Sequence, residues 1–391
     1  FAIQRGLNRV EAGAQGSHKL ARGYMPSHTY SAHWIVNPSF REAVDRFLED
    51  EREYVDQEID SIEERYSPFR SAPGSSETPH ASEREDWMVS MIVVPGGRFS
   101  MGSTAYYPEE SPVVLRDVEP FRVHTTPVTN ADYAEFADKT GYVTVAERPL
   151  DPSLYPGASA KDLVPGALVF IPTDGPVDPA NPGFWWRFVP GACWRFPLGP
   201  GSDVAAKGDH PVVHVAYEDA EAYATWQDVS LPTESQWEWA CRAGEPGDFV
   251  WHDGRNADEH ANIWQGRFPY QNTSRFERTS PVGSYPLNDW GLADMIGNVW
   301  EWTSDWWQDT HVGDDSDHQN CCCPEVSFDP DKPDIRIPRK VLKGGSHLCA
   351  VSYCLRYRPA ARIPQMVDSG ASHIGFRCIE LLARGSLRNS R

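Results

Sequence analysis

Proline and glycine interrupt this chain so often that long regular elements have little room to form. The sequence holds 33 Pro, 30 Gly and 15 Trp. Each proline removes a backbone donor and fixes φ, and each glycine loosens the backbone. Beyond about Trp87 few periodic stretches run long. The tryptophans offer large apolar surfaces with a polar edge, so compactness has to come from aromatic packing more than from hydrogen-bonded ladders. The expected fold class is an irregular, loop-rich α+β domain with low regular secondary structure. No internal repeat appears at solenoid periods.

The local signals are sparse but readable. Residues 37–66 read as a long amphipathic helix opened by Asn37-Pro38, with Phe40, Val44, Phe47, Leu48, Val55, Ile59, Ile62 and Tyr66 at helical spacing. A Ser/Pro/Gly-rich linker follows over 71–86. Met91 to Met101 reads as strand, glycine turn, strand. Thr129 caps a helix carrying Tyr133, Phe136 and Ala137 and closed by Gly141. Another helix spans roughly 217–227, and Thr233-Glu-Ser-Gln236 is a capping box for a third, stopped by Gly244. The domain reading is therefore an appendage over 1–70, the linker, a main domain over 87–380 and a tail over 381–391.

Length, charge and hydropathy bound the partners. The 391 residues suit two or three domains, or one large domain with an appendage. With 36 basic against 56 acidic residues the formal charge is −20, which excludes nucleic acid and anionic membrane as partners of the chain as a whole. No apolar run approaches the ~18 residues of a membrane span. The chain begins Phe1-Ala-Ile-Gln4 without an initiator Met, so the lack of a signal peptide carries no information about the full gene product.

Eight cysteines, mostly in the last third, favour local chemistry over general stapling. Cys349 and Cys354 sit five residues apart among glycines, hydroxyls and arginines. Spacing alone leaves them open between buried or idle thiols, a short-loop disulfide and soft-metal or redox work. Cys321-Cys322-Cys323, with His311 and His318 nearby, has a metal-like look, but three adjacent residues converge on one ion only with strain.

The stretch Gly291-Leu-Ala-Asp-Met-Ile-Gly-Asn-Val-Trp-Glu-Trp-Thr-Ser-Asp-Trp-Trp307 resembles the formylglycine-generating enzyme (sulfatase-modifying factor) family. Leu231 to Ala240, Ala261 to Gly266, Val341 to Arg362 and Ser372 to Cys378 add to the likeness in family order. It implies a C-type-lectin-like fold, and oxidation of a cysteine in an unfolded sulfatase, or another polypeptide with a Cys-x-Pro-x-Arg motif, to Cα-formylglycine. Dioxygen and a thiol reductant are the implied co-reactants, and a cytoplasmic, bacterial monomer the implied setting. By the same resemblance Cys349 and Cys354 hold Cu(I), which prefers few soft ligands. Ser346 sits by the oxygen pocket, and Trp300 and Tyr353 line the site. Structural calcium is implied at Asp294, Gly297, Val299 and Glu301, a hard-oxygen set. A first calcium site keeps Asn262 and Ile263, but its following loop, Asn272 to Arg278, lacks the family's aspartate. His373 stands where the family often has Asn, and Pro359 where vertebrate members have cysteine. Cys241 and Cys378 match the other vertebrate disulfide pair, bridged in an oxidising compartment and otherwise buried thiols.

Residues 9–23, 29–34 and 67–70 resemble the tail of peptidogalycan-type N-acyltransferases of the GNAT superfamily, which implies the C-terminal part of a larger fusion. Two rival functions exist. An iron-dependent sulfoxide synthase of the same superfamily would need an HxxxHxE motif, which His28 and His33 do not supply. A non-catalytic lectin-like binding module would lack the paired cysteines.

Overall fold

Short runs of β-branched and aromatic residues between turns give short strands, and among the described residues none exceeds seven. The computed structural model describes residues 91–155, 157–159, 163–251, 257–311 and 324–382, all within one compact unit. The expected 37–66 helix, the linker, His28, His33, His318 and Cys321 to Cys323 lie outside the described residues.

Two small sheets organise the domain. In the first, β1 (Met91–Val94), β4 (Phe121–His124) and β13 (Ile379–Leu381) are antiparallel, so the two ends of the domain close on β4. β2 (Gly97–Met101) pairs instead with β3 (Val114–Val118). The glycine turn after β1 therefore passes the chain from one sheet to another and makes no hairpin. Two further ribbons join β5 (Gly166–Phe170) to β6 (Trp186–Pro190) and β7 (Gly266–Arg267) to β8 (Gln271–Asn272). The second sheet has the order β11 (Arg362–Met366), β10 (Arg339–Lys343), β9 (Trp300–Trp306), β12 (Ile374–Gly375), with β12 parallel to β9.

Two helices form where the caps at Thr129 and Thr233 predicted, and a third where its span was read. Thr129 caps α1 (Asn130–Thr140) through a complete capping box with Asp132, and Gly141 ends it at φ 68°. α2 spans Tyr217–Trp226 and α3 Glu234–Arg242. α3 stops one residue before the expected glycine, because Ala243 itself takes the left-handed conformation at φ 50°.

Aromatic packing fills the core. Tyr133 meets Trp194 at 5.2 Å and Tyr223 at 5.9 Å between ring centroids, and Tyr223 meets Phe376 at 5.3 Å. Buried ion pairs join the elements in a way the sequence did not announce. Lys343 on β10 reaches Glu238 on α3 at 2.9 Å, Arg362 on β11 grips Glu234 at 2.8 Å, and Arg377 grips Glu301 on β9 at 2.7 Å. Each partner cancels a charge that would be prohibitive to bury alone. The network locks α3 to the second sheet, and the site follows the C-terminal end of its inner strand β10.

Candidate functional site

β10 ends at Lys343, and the next two residues turn sharply in conformations that favour glycine: Gly344 at φ 96° and Gly345 at φ 76°. A side chain at Gly345 would stand 2.7 Å from the Arg356 carbonyl oxygen. The double turn drives Ser346 to Ala350 into the core. There the Cys349 N–H donates to the Ser346 carbonyl, and the Cys349 carbonyl accepts from Trp264 N–H, both at 2.9 Å. The Ser346 N–H points at Cys349 Sγ at 3.5 Å, and the Ser346 hydroxyl accepts from Leu348 N–H.

Ala350 then accepts from both Tyr353 and Cys354 N–H groups, closing a turn whose tip, Val351, is 67% exposed. The turn returns Cys354 to Cys349. Their sulfurs stand 3.5 Å apart and are not bonded. Cys349 is buried at 2% exposure while Cys354 is part-exposed, so the pair opens to one side. The hydrogen bond with Cys349 and the nearby Arg356 hold the Cys354 thiol well below its usual range despite burial. The same hydrogen bond, in which Cys349 keeps its proton, and burial push Cys349 up. The dithiol thus carries one negative charge more readily than two ordinary cysteines.

An aromatic wall borders the turn. Tyr353, 40% exposed, stacks flat on Phe268 at 4.3 Å and meets the edge of Trp185 at 5.6 Å. Trp300 is buried in the same core cluster as Cys349, its N–H donated to the His373 carbonyl. The structure therefore brings Cys349, Cys354, Ser346 and Tyr353 together on one loop, while Trp300 lies elsewhere in the same core cluster, on β9 beside β12. Sequence reasoning missed Arg356 and Phe268. Arg356 was legible as a cation two residues after a cysteine; Phe268 carried no signal, since only tertiary packing sets it under Tyr353.

Other expected positions find particular partners. Both carboxylate oxygens of Glu301 accept from Arg377, and Trp237 Nε1 donates to one of them at 2.7 Å. Asp294 Oδ2 accepts from Gly283 N–H at 2.7 Å. Glu301 thus serves as the counter-charge of Arg377, and a cation at Asp294, Gly297, Val299 and Glu301 would have to share it. The weaker-looking first site shows the better opening: Asn262 Oδ1 is buried with no hydrogen-bond partner. Ile263 follows it, also buried. Cys241 and Cys378 are unbridged, and burial pushes both thiols far up. His373 packs on Trp186 at 4.8 Å as a half-buried ring whose basicity is lowered by desolvation, with its Nδ1 out of solvent. His311 Nδ1 donates to the Pro112 carbonyl, and its Nε2 faces Glu234 at 3.6 Å. Among the described residues no group of three His, Cys, Asp or Glu side chains is placed to hold a metal, so any soft-metal site here rests on the two thiols.

Comparison with known proteins extends this picture. The sulfatase-modifying factor enzyme 1-like domain model matches residues 75–382, and a peptidogalycan biosynthesis/recognition model matches 1–71. The formylglycine-generating enzyme of Mycobacterium tuberculosis is 52% identical over 75% of this chain and 98% of its own. That of Mus musculus is 38% identical over 81% of this chain and 80% of its own. A Bos taurus protein named inactive C-alpha-formylglycine-generating enzyme 2 is 35% identical over 74% of this chain and 87% of its own.

Proposed function

The chain belongs to the sulfatase-modifying factor family, and from that premise we propose that it is a formylglycine-generating enzyme whose reaction takes place at Cys349 and Cys354. It converts a peptidyl cysteine to Cα-formylglycine, and the polypeptide substrate is a sulfatase or another chain presenting Cys-x-Pro-x-Arg. The observation that carries this is the unbonded 3.5 Å dithiol, one thiol buried and the other reaching the surface.

The reaction balances as peptidyl thiol, dioxygen and two reductant thiols going to peptidyl aldehyde, hydrogen sulfide, a reductant disulfide and water. Cys349 and Cys354 are two adjacent soft donors, which fits Cu(I). The chemistry a bound Cu(I) supplies is soft coordination of the substrate thiol and electrons for dioxygen. The chain's own contribution is positioning. The core bonds of Cys349 hold one sulfur fixed, the Ala350 turn presents the other, and Arg356 favours the deprotonated form that metal binding requires. The Tyr353–Phe268–Trp185 wall braces the turn that carries Cys354.

Calcium, in this reading, is structural. Asn262 with its orphaned Oδ1 and Ile263 offer oxygen donors, and Asp294, Gly297, Val299 and Glu301 form the second set. We read the fold as C-type-lectin-like and the protein as a cytoplasmic bacterial monomer.

The deciding assay supplies Cu(I), oxygen, a thiol reductant and a Cys-x-Pro-x-Arg peptide. Aldehyde formation is expected. No aldehyde from a copper-loaded chain, or full activity in Cys354→Ser, would overturn the reading.

A further inference from the structure

We infer that Tyr107 and Glu109 are positioning residues for the dithiol: they grip the residues that follow Cys354 and so set where its sulfur stands relative to Cys349. The inference rests on the Cys349–Cys354 pair being the working dithiol, as proposed above.

The two cysteines are fixed by different parts of the molecule. Cys349 is bonded into the core through Ser346 and Trp264. Between it and Cys354 lie buried Ala350, whose carbonyl accepts the Cys354 N–H at 2.7 Å, and then Val351, Ser352 and Tyr353, all exposed, so this side tethers the Cys354 backbone by one bond across an exposed turn. Beyond Cys354 the situation reverses. Leu355 N–H donates to Tyr107 Oη at 3.1 Å. The Arg356 guanidinium lies 3.8 Å over the Tyr107 ring, and its Nη2 is 2.6 Å from Glu109 Oε1. Arg358 forks onto Glu110 at 2.9 and 2.5 Å with its guanidinium 3.7 Å over the Tyr106 ring. Arg362 donates to the Glu109 carbonyl at 3.0 Å. The segment 106–110 therefore holds the strap 355–362 residue by residue.

The two halves of this clamp differ. Arg358 and Glu110 are fully buried and serve the fold. Tyr107, Glu109 and Arg356 are only part-buried, at the rim where Cys354 sits, so their contacts can be removed without exposing an unpaired buried charge. A hydrogen bond to the residue beside Cys354 bears directly on the sulfur's position, because one peptide unit separates them.

The test uses two conservative variants, Tyr107→Phe and Glu109→Gln, and two readouts. Phenylarsine oxide bridges a dithiol, one arsenic forming two As–S bonds with release of one water, and its rate reports sulfur spacing without any metal. Competition with a Cu(I) chelator reports affinity at the same pair. Both variants are expected to bridge about tenfold more slowly and to bind Cu(I) about tenfold more weakly, the scale of one lost hydrogen bond. Melting temperature should hold within a few degrees, with kcat falling more than KM rises. Wild-type bridging rate and Cu(I) affinity in both variants would overturn the clamp. If Tyr107→Phe fails to fold, the part-exposed Glu109→Gln decides alone. If the wild-type chain itself takes up no Cu(I), the copper reading fails, while the arsenical rates still judge the clamp.

Discussion

Cys349 Sγ and Cys354 Sγ face each other at 3.5 Å as a hydrogen-bonded dithiol, one rooted in the core and one part-exposed. Replacing either by serine leaves a single soft donor. Cys354→Ser is expected to lower aldehyde formation at least ~100-fold, the scale typical of losing a group that acts only in the reaction. Because Cys354 is not fully buried, its melting temperature should stay near wild type. Peptide turnover beside a thermal melt checks both statements, and retained turnover would move the chemistry elsewhere.

Gly345 controls the same loop from below. At φ 76°, with the Arg356 carbonyl 2.7 Å from where a Cβ would stand, Gly345→Ala combines left-handed strain with a backbone clash. A loss of about 2–4 kcal/mol is expected. Denaturant unfolding measures it, and a loss under 1 kcal/mol would mean the strap yields easily.

Glu301 and Arg377 form a pair fully enclosed by protein. Glu301→Gln or Arg377→Met should each cost about 3–5 kcal/mol, because each leaves the other charge buried alone. The double variant should recover part of that loss. Additive single costs in an unfolding cycle would contradict the pairing.

Four histidines tie stability to pH. Desolvation holds His124, His214 and His347 down to about 4 and His373 to about 3, with Arg377 adding to His124, Arg278 to His214 and His347, and Lys207 also to His347. The unfolded chain takes up their protons near pH 6.5, while the native chain refuses them until far lower. Stability is therefore present above pH 6.5 and lost as pH falls toward 4, with up to four protons in the slope. Urea midpoints at pH 7 and 5 should differ, and His373→Asn should flatten the dependence by about a quarter. Equal midpoints in the wild type would contradict this.

Asn262 Oδ1 is buried without a partner. If calcium satisfies it, chelation should lower the wild-type melting temperature by several degrees and leave Asn262→Ala unchanged. Identical melts with and without chelator would remove calcium from this position.

The helices were legible because their signals are local. The Thr129 box, the Thr233 box and Gly141 act within one turn of chain, and each stands where its residues indicated. The strands were half legible: Met91 to Val94 and Gly97 to Met101 formed, yet they joined different sheets. Pairing is a long-range choice that a glycine turn does not settle. Glu301 shows the same limit: its carboxylate pairs with Arg377, 76 residues away in sequence, a partner that the motif around it did not announce.

By itself the sequence determined the material of this protein: a proline- and glycine-broken chain, aromatic enough to pack without long ladders, with two thiols five residues apart. Spacing could not choose among a disulfide, idle thiols and a metal pair, since all three accept it. Tertiary structure decided how the two thiols are held. It left the sulfurs unbridged, buried one thiol, left the other part-exposed, set Arg356 beside it, and brought Tyr107 and Glu109 from some 250 residues upstream against the residues that follow it. Such contacts depend on which distant segments share the core, and that is fixed only when the whole chain packs.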